Sequence, residues 1–169
     1  IEGRDELLPT LEDPSYRSFW GLHDDSLLTE AKSRYDRVAA SDEPFGMVVL
    51  TIDTHHPTGA HIPKSCDDYR YGDGENAFLN SIYCADILAA DFINHVRSSP
   101  EFEDTLLIVV SDHMSRPNEA TDILETGERR NLFMAFGAEI EPAQIATPGY
   151  TLDIAPTLLG LLGSKTEAL

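Results

Sequence analysis

Leu106-Leu107-Ile108-Val109-Val110-Ser111-Asp112-His113 is the stretch on which the fold turns. Its five apolar residues in succession, ending in three β-branched ones, have the pattern of a strand buried on both faces. The polar residues that follow fall at the strand's carboxyl end, where open α/β sheets bind their ligands.

Working outward, Met47-Val48-Val49-Leu50-Thr51-Ile52 repeats the pattern after a break at Pro44-Phe45-Gly46, and runs into Asp53-Thr54-His55-His56-Pro57. Between the two runs the spacing predicts a helix from about Glu75 to Ser98. Its apolar stripe is Phe78, Ile82, Ala85, Leu88, Ala89, Phe92 and Val96, and Pro100 ends it. Strand, long helix, strand is a βαβ unit, expected right-handed with parallel strands. Asn131–Phe136 reads as a third strand. Asp153 begins a helix through about Leu162, with Pro156 in its first turn and Gly163 as the stop. Upstream, Asp24-Asp25 are placed to cap a helix over Ser26–Val38, and the Gly- and Pro-bearing residues 57–74 read as a long loop. The expected fold class is α/β, a three-layer α/β/α arrangement around a largely parallel sheet.

Residues 1–22 are expected to be an irregular N-terminal segment, and residues 23–169 one domain. Ile1-Glu2-Gly3-Arg4 spells a sequence used to cleave expression tags and carries no weight in the fold argument.

The balance of charge excludes some functions. With 30 Asp and Glu against 12 Lys and Arg, the formal net charge is −18, the opposite of a nucleic-acid footprint. It also disfavours unaided docking on anionic lipid. No apolar run approaches the ~18 residues of a membrane span, so this piece is expected to be soluble by itself. Cys66 and Cys84 have no CxxC or Cys/His spacing of a zinc site. A disulfide between them, as in exported proteins, and two unrelated buried thiols both remain open.

Asp53, His55 and His56 after one predicted strand, and Asp112 and His113 after the other, put five Asp and His residues at one sheet edge. A carboxylate gives a divalent ion charge and a hard oxygen, and an imidazole gives it a borderline nitrogen. The competing reading is a strand-end Asp that caps the next turn beside a half-buried His. Ser111-Asp112-His113 suits a catalytic triad poorly, because consecutive side chains on extended backbone diverge.

These residues carry a resemblance. Ser111-Asp112-His113 after its apolar strand resembles the metal-binding signature of the alkaline phosphatase and sulfatase superfamily. Thr54-His55-His56-Pro57 resembles its Thr-His-x-Pro segment, and Leu152-Asp153-Ile154-Ala155-Pro156-Thr157-Leu158-Leu159 resembles its closing helix. Within the superfamily the chain is most similar to the phosphoglycerol transferases that decorate osmoregulated periplasmic glucans, which are related to the lipoteichoic acid synthases. That likeness rests on Thr51–Pro57 with Cys66 and Cys84, on Ser111–Met114 followed by Asn118-Glu119-Ala120, and on Arg129–Phe133.

The resemblance implies the C-terminal half of an extracytoplasmic catalytic domain whose parent is anchored in the inner membrane. It implies Asp112 and His113 as ligands of Mn²⁺ or Mg²⁺, and His55 and His56 as contacts to the phosphoglycerol of phosphatidylglycerol. In the family a metal-activated threonine attacks the donor, and a glucan hydroxyl then takes the phosphoglycerol from it. That threonine and an acidic metal ligand belong to an N-terminal half, so no catalytic nucleophile is expected in this chain and the fragment alone is expected to be inactive. Thr51 and Thr54 lie in the wrong motif to substitute. The alternatives are a sulfatase- or phosphodiesterase-type hydrolase and a non-catalytic glucan-binding domain. Asn118 and the pair Arg129-Arg130 are secondary candidates near the ligand, while His23, His61 and His95 are expected to serve surface or core roles; Trp20 and the aromatics near it are expected to pack, with glucan stacking as the alternative.

Overall fold

The structure, a computed structural model, describes residues 1–41, 43–55 and 62–163. It divides into two compact units: residues 1–101 with 115–128, and residues 102–114 with 129 onward.

The first unit is built on two helices, α2 (Asp24–Ala39) and α3 (Ala77–Arg97), preceded by a single turn, α1 (Arg4–Leu7), with a second short turn, α4 (Thr121–Leu124), late in the chain. Leu28, Ala31 and Tyr35 of α2 are buried, as are Phe78, Ser81, Cys84, Phe92 and Val96 of α3. Most of them recur at intervals of three and four residues, the spacing that puts side chains on one helix face. The face differs from the expected stripe at Ile82, which is exposed; Ser81 and Cys84 point inward there instead. Side chains clamp the helix pair along its length. Tyr35 Oη meets Ser99 Oγ at 2.8 Å, His95 Nε2 meets Asp36 Oδ1 at 2.6 Å, and Lys32 pairs with Asp91.

Both ends of the helix pair are organised. Asn76 caps α3 by accepting the Leu79 N–H at 2.9 Å. A disulfide joins Cys66 to Cys84 with the α-carbons 5.7 Å apart, tying the 3₁₀ turn Lys64–Cys66 to α3. Of the two open cysteine readings, the pairing is the one that holds. The buried amide of Asn80 fastens the loop above it, accepting the Tyr71 N–H and donating to the Gly74 carbonyl, both at 2.8 Å. Gly72 and Gly74 turn this loop with φ of 58° and 82°, a region that favours glycine.

The second unit carries β1 (Leu107–Val110), β2 (Phe133–Phe136) and α5 (Ile154–Leu161). The strands are antiparallel, with Leu107 opposite Phe136 and Val110 opposite Phe133. The Ser111 N–H reaches the Leu132 carbonyl at 3.0 Å and extends the ladder by one step. Asp153 receives the Tyr150 N–H at 2.7 Å ahead of α5, and Pro156 sits in the first turn of that helix as expected.

Two expectations are corrected. Residues 47–52 form no strand, and no parallel ladder or βαβ unit occurs among the described residues. A strand exists only through a partner, and none of the described residues pairs with this run. Val48 and Leu50 are accordingly 95% and 71% exposed. The N-terminal stretch, expected to be irregular, includes α1 and a 3₁₀ turn at Leu8–Thr10.

Candidate metal and substrate site

Asp112 and His113 leave the carboxyl end of β1 directly after Ser111, whose backbone is still held to Leu132. The His113 N–H donates to Asp112 Oδ1 at 2.8 Å. His113 Nδ1 lies 2.9 Å from the Met114 carbonyl, which can only accept, so Nδ1 is the donor in that bond. Nε2 then stands 3.5 Å from Asp112 Oδ2, with the two side chains 57% and 70% exposed. Two ligands each about 2.1 Å from one ion, at angles between octahedral and tetrahedral, lie about 3.0–3.4 Å apart. At 3.5 Å the pair stands just beyond that spacing, and the other ring nitrogen of the histidine is held by the Met114 carbonyl. No group of three or more His, Cys, Asp or Glu residues able to hold an ion occurs among the described residues.

His55 belongs to the other unit. It follows a turn closed by its own N–H on the Ile52 carbonyl at 2.9 Å, and its exposed ring lies 5.2 Å from that of Trp20. His56, its companion in the expected substrate site, lies outside the described residues, as does His61.

Asp53, which the spacing groups with the ligand candidates, does something else. Buried, it accepts His23 Nδ1 at 2.8 Å with one oxygen and the Asp24 N–H at 2.7 Å with the other. Asp53 thus caps α2 from a distant part of the chain, in place of the local cap expected from Asp24-Asp25. Asp24 answers by accepting the N–H groups of Ile52 at 2.7 Å and Asp53 at 3.2 Å. Burial pushes the Asp24 carboxyl up to about 6; the Asp53 charge adds to that, and the Ile52 N–H bond opposes it. Tyr16 closes the cluster, with its ring 4.8 Å from that of His23, its hydroxyl donating to Asp25 Oδ2 and the Lys64 N–H donating to it. His23 is a buried partner of Asp53, and His95 bridges two helices, in keeping with packing roles for both.

Asn118 lies in the loop that follows His113. Its amide donates to Ser115 Oγ and the Arg116 carbonyl and accepts the Ala120 N–H, holding its own loop. Arg129 and Arg130 are exposed just ahead of β2. The clasp of Asp24, Asp53 and His23 was the feature missed from sequence, since Asp53 lies 30 and 29 positions from His23 and Asp24 with no shared local pattern.

The sulfatase family pattern matches residues 3–164. A phosphoglycerol transferase I from Xanthomonas campestris pv. campestris is 38% identical over 152 residues, covering 88% of this chain and 22% of that protein. One from Salmonella paratyphi B is 37% identical over 166 residues, covering 96% of this chain and 22% of that protein. The chain therefore spans about a fifth of the length of these curated relatives. A crystal structure of an alkaline phosphatase superfamily protein from Vibrio parahaemolyticus superposes with a TM-score of 0.72 at 23% identity, over 90% of this chain and 36% of that one. It shares the fold. The chain has an α/β fold of the alkaline phosphatase superfamily and belongs to the sulfatase family.

Proposed function

We propose that this chain supplies part of the catalytic domain of a metal-dependent phosphoglycerol transferase, which moves phosphoglycerol from the headgroup of phosphatidylglycerol to a glucan in the periplasm. The observation that carries the reading is the pair His113 Nε2 and Asp112 Oδ2, 3.5 Å apart at the end of β1, in a chain similar to proteins named phosphoglycerol transferase I.

Asp112 and His113 hold Mn²⁺ or Mg²⁺ in this account. The ion, when bound, offsets negative charge on the transferred phosphoryl group. His55, with His56 beside it in sequence, donates hydrogen bonds to phosphate or glycerol oxygens of the donor. The attacking threonine and the remaining acidic ligand come from outside residues 1–169, so the chain alone transfers nothing. The Cys66–Cys84 disulfide suits an oxidising compartment. No helix among the described residues is long and apolar enough to cross a membrane.

The test is transfer of labelled phosphoglycerol from phosphatidylglycerol to glucan by the intact protein carrying this chain. Asp112→Ala is expected to abolish it; full activity in that variant would refute the assignment. The sulfatase family match favours a second reading, in which water is the acceptor. Free glycerol phosphate as the sole product, with glucan present, would establish that reading instead.

A further inference from the structure

We infer that the turn at Ser18–Gly21 presents a glycan-binding strip beside His55, with Trp20 as its stacking platform. The inference rests on the functional reading above and adds acceptor-contacting residues to it. Trp20 is the chain's single tryptophan, and it is 54% exposed next to Phe19 at 79%. The Phe19 and Trp20 rings meet edge to face at 5.2 Å, and Trp20 continues to His55 at the same spacing. Phe19 also lines an open groove of about 540 Å³ with Pro14, Ser15, Arg17 and Ser18.

These rings are held outward by a built scaffold. Ser18 Oγ accepts the N–H groups of Trp20 and Gly21 at 3.2 Å and donates to the Gly21 carbonyl at 3.1 Å. The Ser18 N–H donates to the same carbonyl at 2.8 Å, and Arg4 Nη1 donates to the Phe19 carbonyl at 3.2 Å. Gly21 closes the turn at φ 154°, where a side chain would be strained.

The chemistry matches a sugar chain. A pyranose ring offers a C–H face to an aromatic ring and hydroxyls to polar groups at its rim, and the groove supplies Ser15 and Arg17. Arg17 is exposed, and a guanidinium offers several donors to such hydroxyls. An uncharged glycan meets no penalty from a chain of net charge −18, whereas an anionic surface does. The mixture of serine, arginine and aromatic rings is also more polar than the contiguous apolar patch of a protein-docking face. If His55 holds the group in transit, an acceptor lying along Trp20 reaches it directly.

The experiment uses the intact protein and a soluble β-linked gluco-oligosaccharide, with affinity measured by calorimetry and acceptor KM by transfer. Trp20→Ala is expected to weaken binding about tenfold or more. Trp20→Phe, which restores a ring, is expected to recover most of that loss, and Phe19→Ala to show a smaller one. Unchanged affinity and acceptor KM in folded Trp20→Ala would overturn the strip while leaving the transfer reaction intact. Oligosaccharide binding that depends on Trp20 in a protein that transfers no phosphoglycerol would uphold the strip and refute the functional reading.

Discussion

Asp24 and Asp53 cap each other's backbone: the Asp53 carboxylate takes the Asp24 N–H at 2.7 Å, and the Asp24 carboxylate takes the Asp53 N–H at 3.2 Å. This reciprocal clasp fixes the start of α2 to the residues immediately ahead of Thr54 and His55. Two buried carboxylates facing one another would repel if left bare. Backbone N–H groups and His23 make the arrangement tolerable.

Removing one half of the clasp takes away hydrogen bonds made in a buried place. Asp53→Ala removes the acceptor of the Asp24 N–H and the 2.8 Å contact to His23 Nδ1 together, so a loss of about 3 kcal/mol is expected in urea unfolding. Asp53→Asn, which keeps one acceptor oxygen, is expected to lose less. Equal stability of Asp53→Ala and the parent would show that the clasp contributes nothing.

The raised Asp24 carboxyl makes a prediction about pH. Its folded value of about 6 lies above the ordinary 3.8, so the folded chain binds the proton more tightly than the unfolded one. The stability this group contributes is complete below about pH 4 and is lost as pH rises through about 6. Acidification from pH 7.5 to pH 5 should therefore strengthen the parent relative to Asp24→Asn, by about 1 kcal/mol. Parallel pH–stability curves for the two proteins would contradict this.

The disulfide holds the Lys64–Cys66 turn against α3 and closes a loop of moderate length. Cys66→Ser with Cys84→Ala is expected to cost about 3 kcal/mol and to expose the segment between them to proteolysis first. Resistance equal to that of the oxidised parent would place the anchoring elsewhere, for instance at Asn80.

How much of this was legible in the sequence follows from the range of the interactions. The two long helices lie within about two residues of their expected bounds, because apolar spacing and caps such as Asn76 are local signals. Asp112 and His113 stand out as candidates for the same reason: they come just after an apolar strand. Residues 47–52 have the same composition but no strand, since pairing depends on a partner that apolarity alone does not supply. Asp53 misled for a related reason. Its neighbours in sequence pointed to a ligand, whereas its neighbours in space are His23 and the start of α2, reached only once the chain has folded.

The most direct test of the central claim is calorimetric titration of Mn²⁺ into the intact protein carrying this chain, with and without Asp112→Ala. The account predicts saturable binding that weakens on the order of 100-fold or more in the variant, because a charged ligand is lost from the ion. Mn²⁺ affinity unchanged by Asp112→Ala would contradict it and remove the metal from the end of β1.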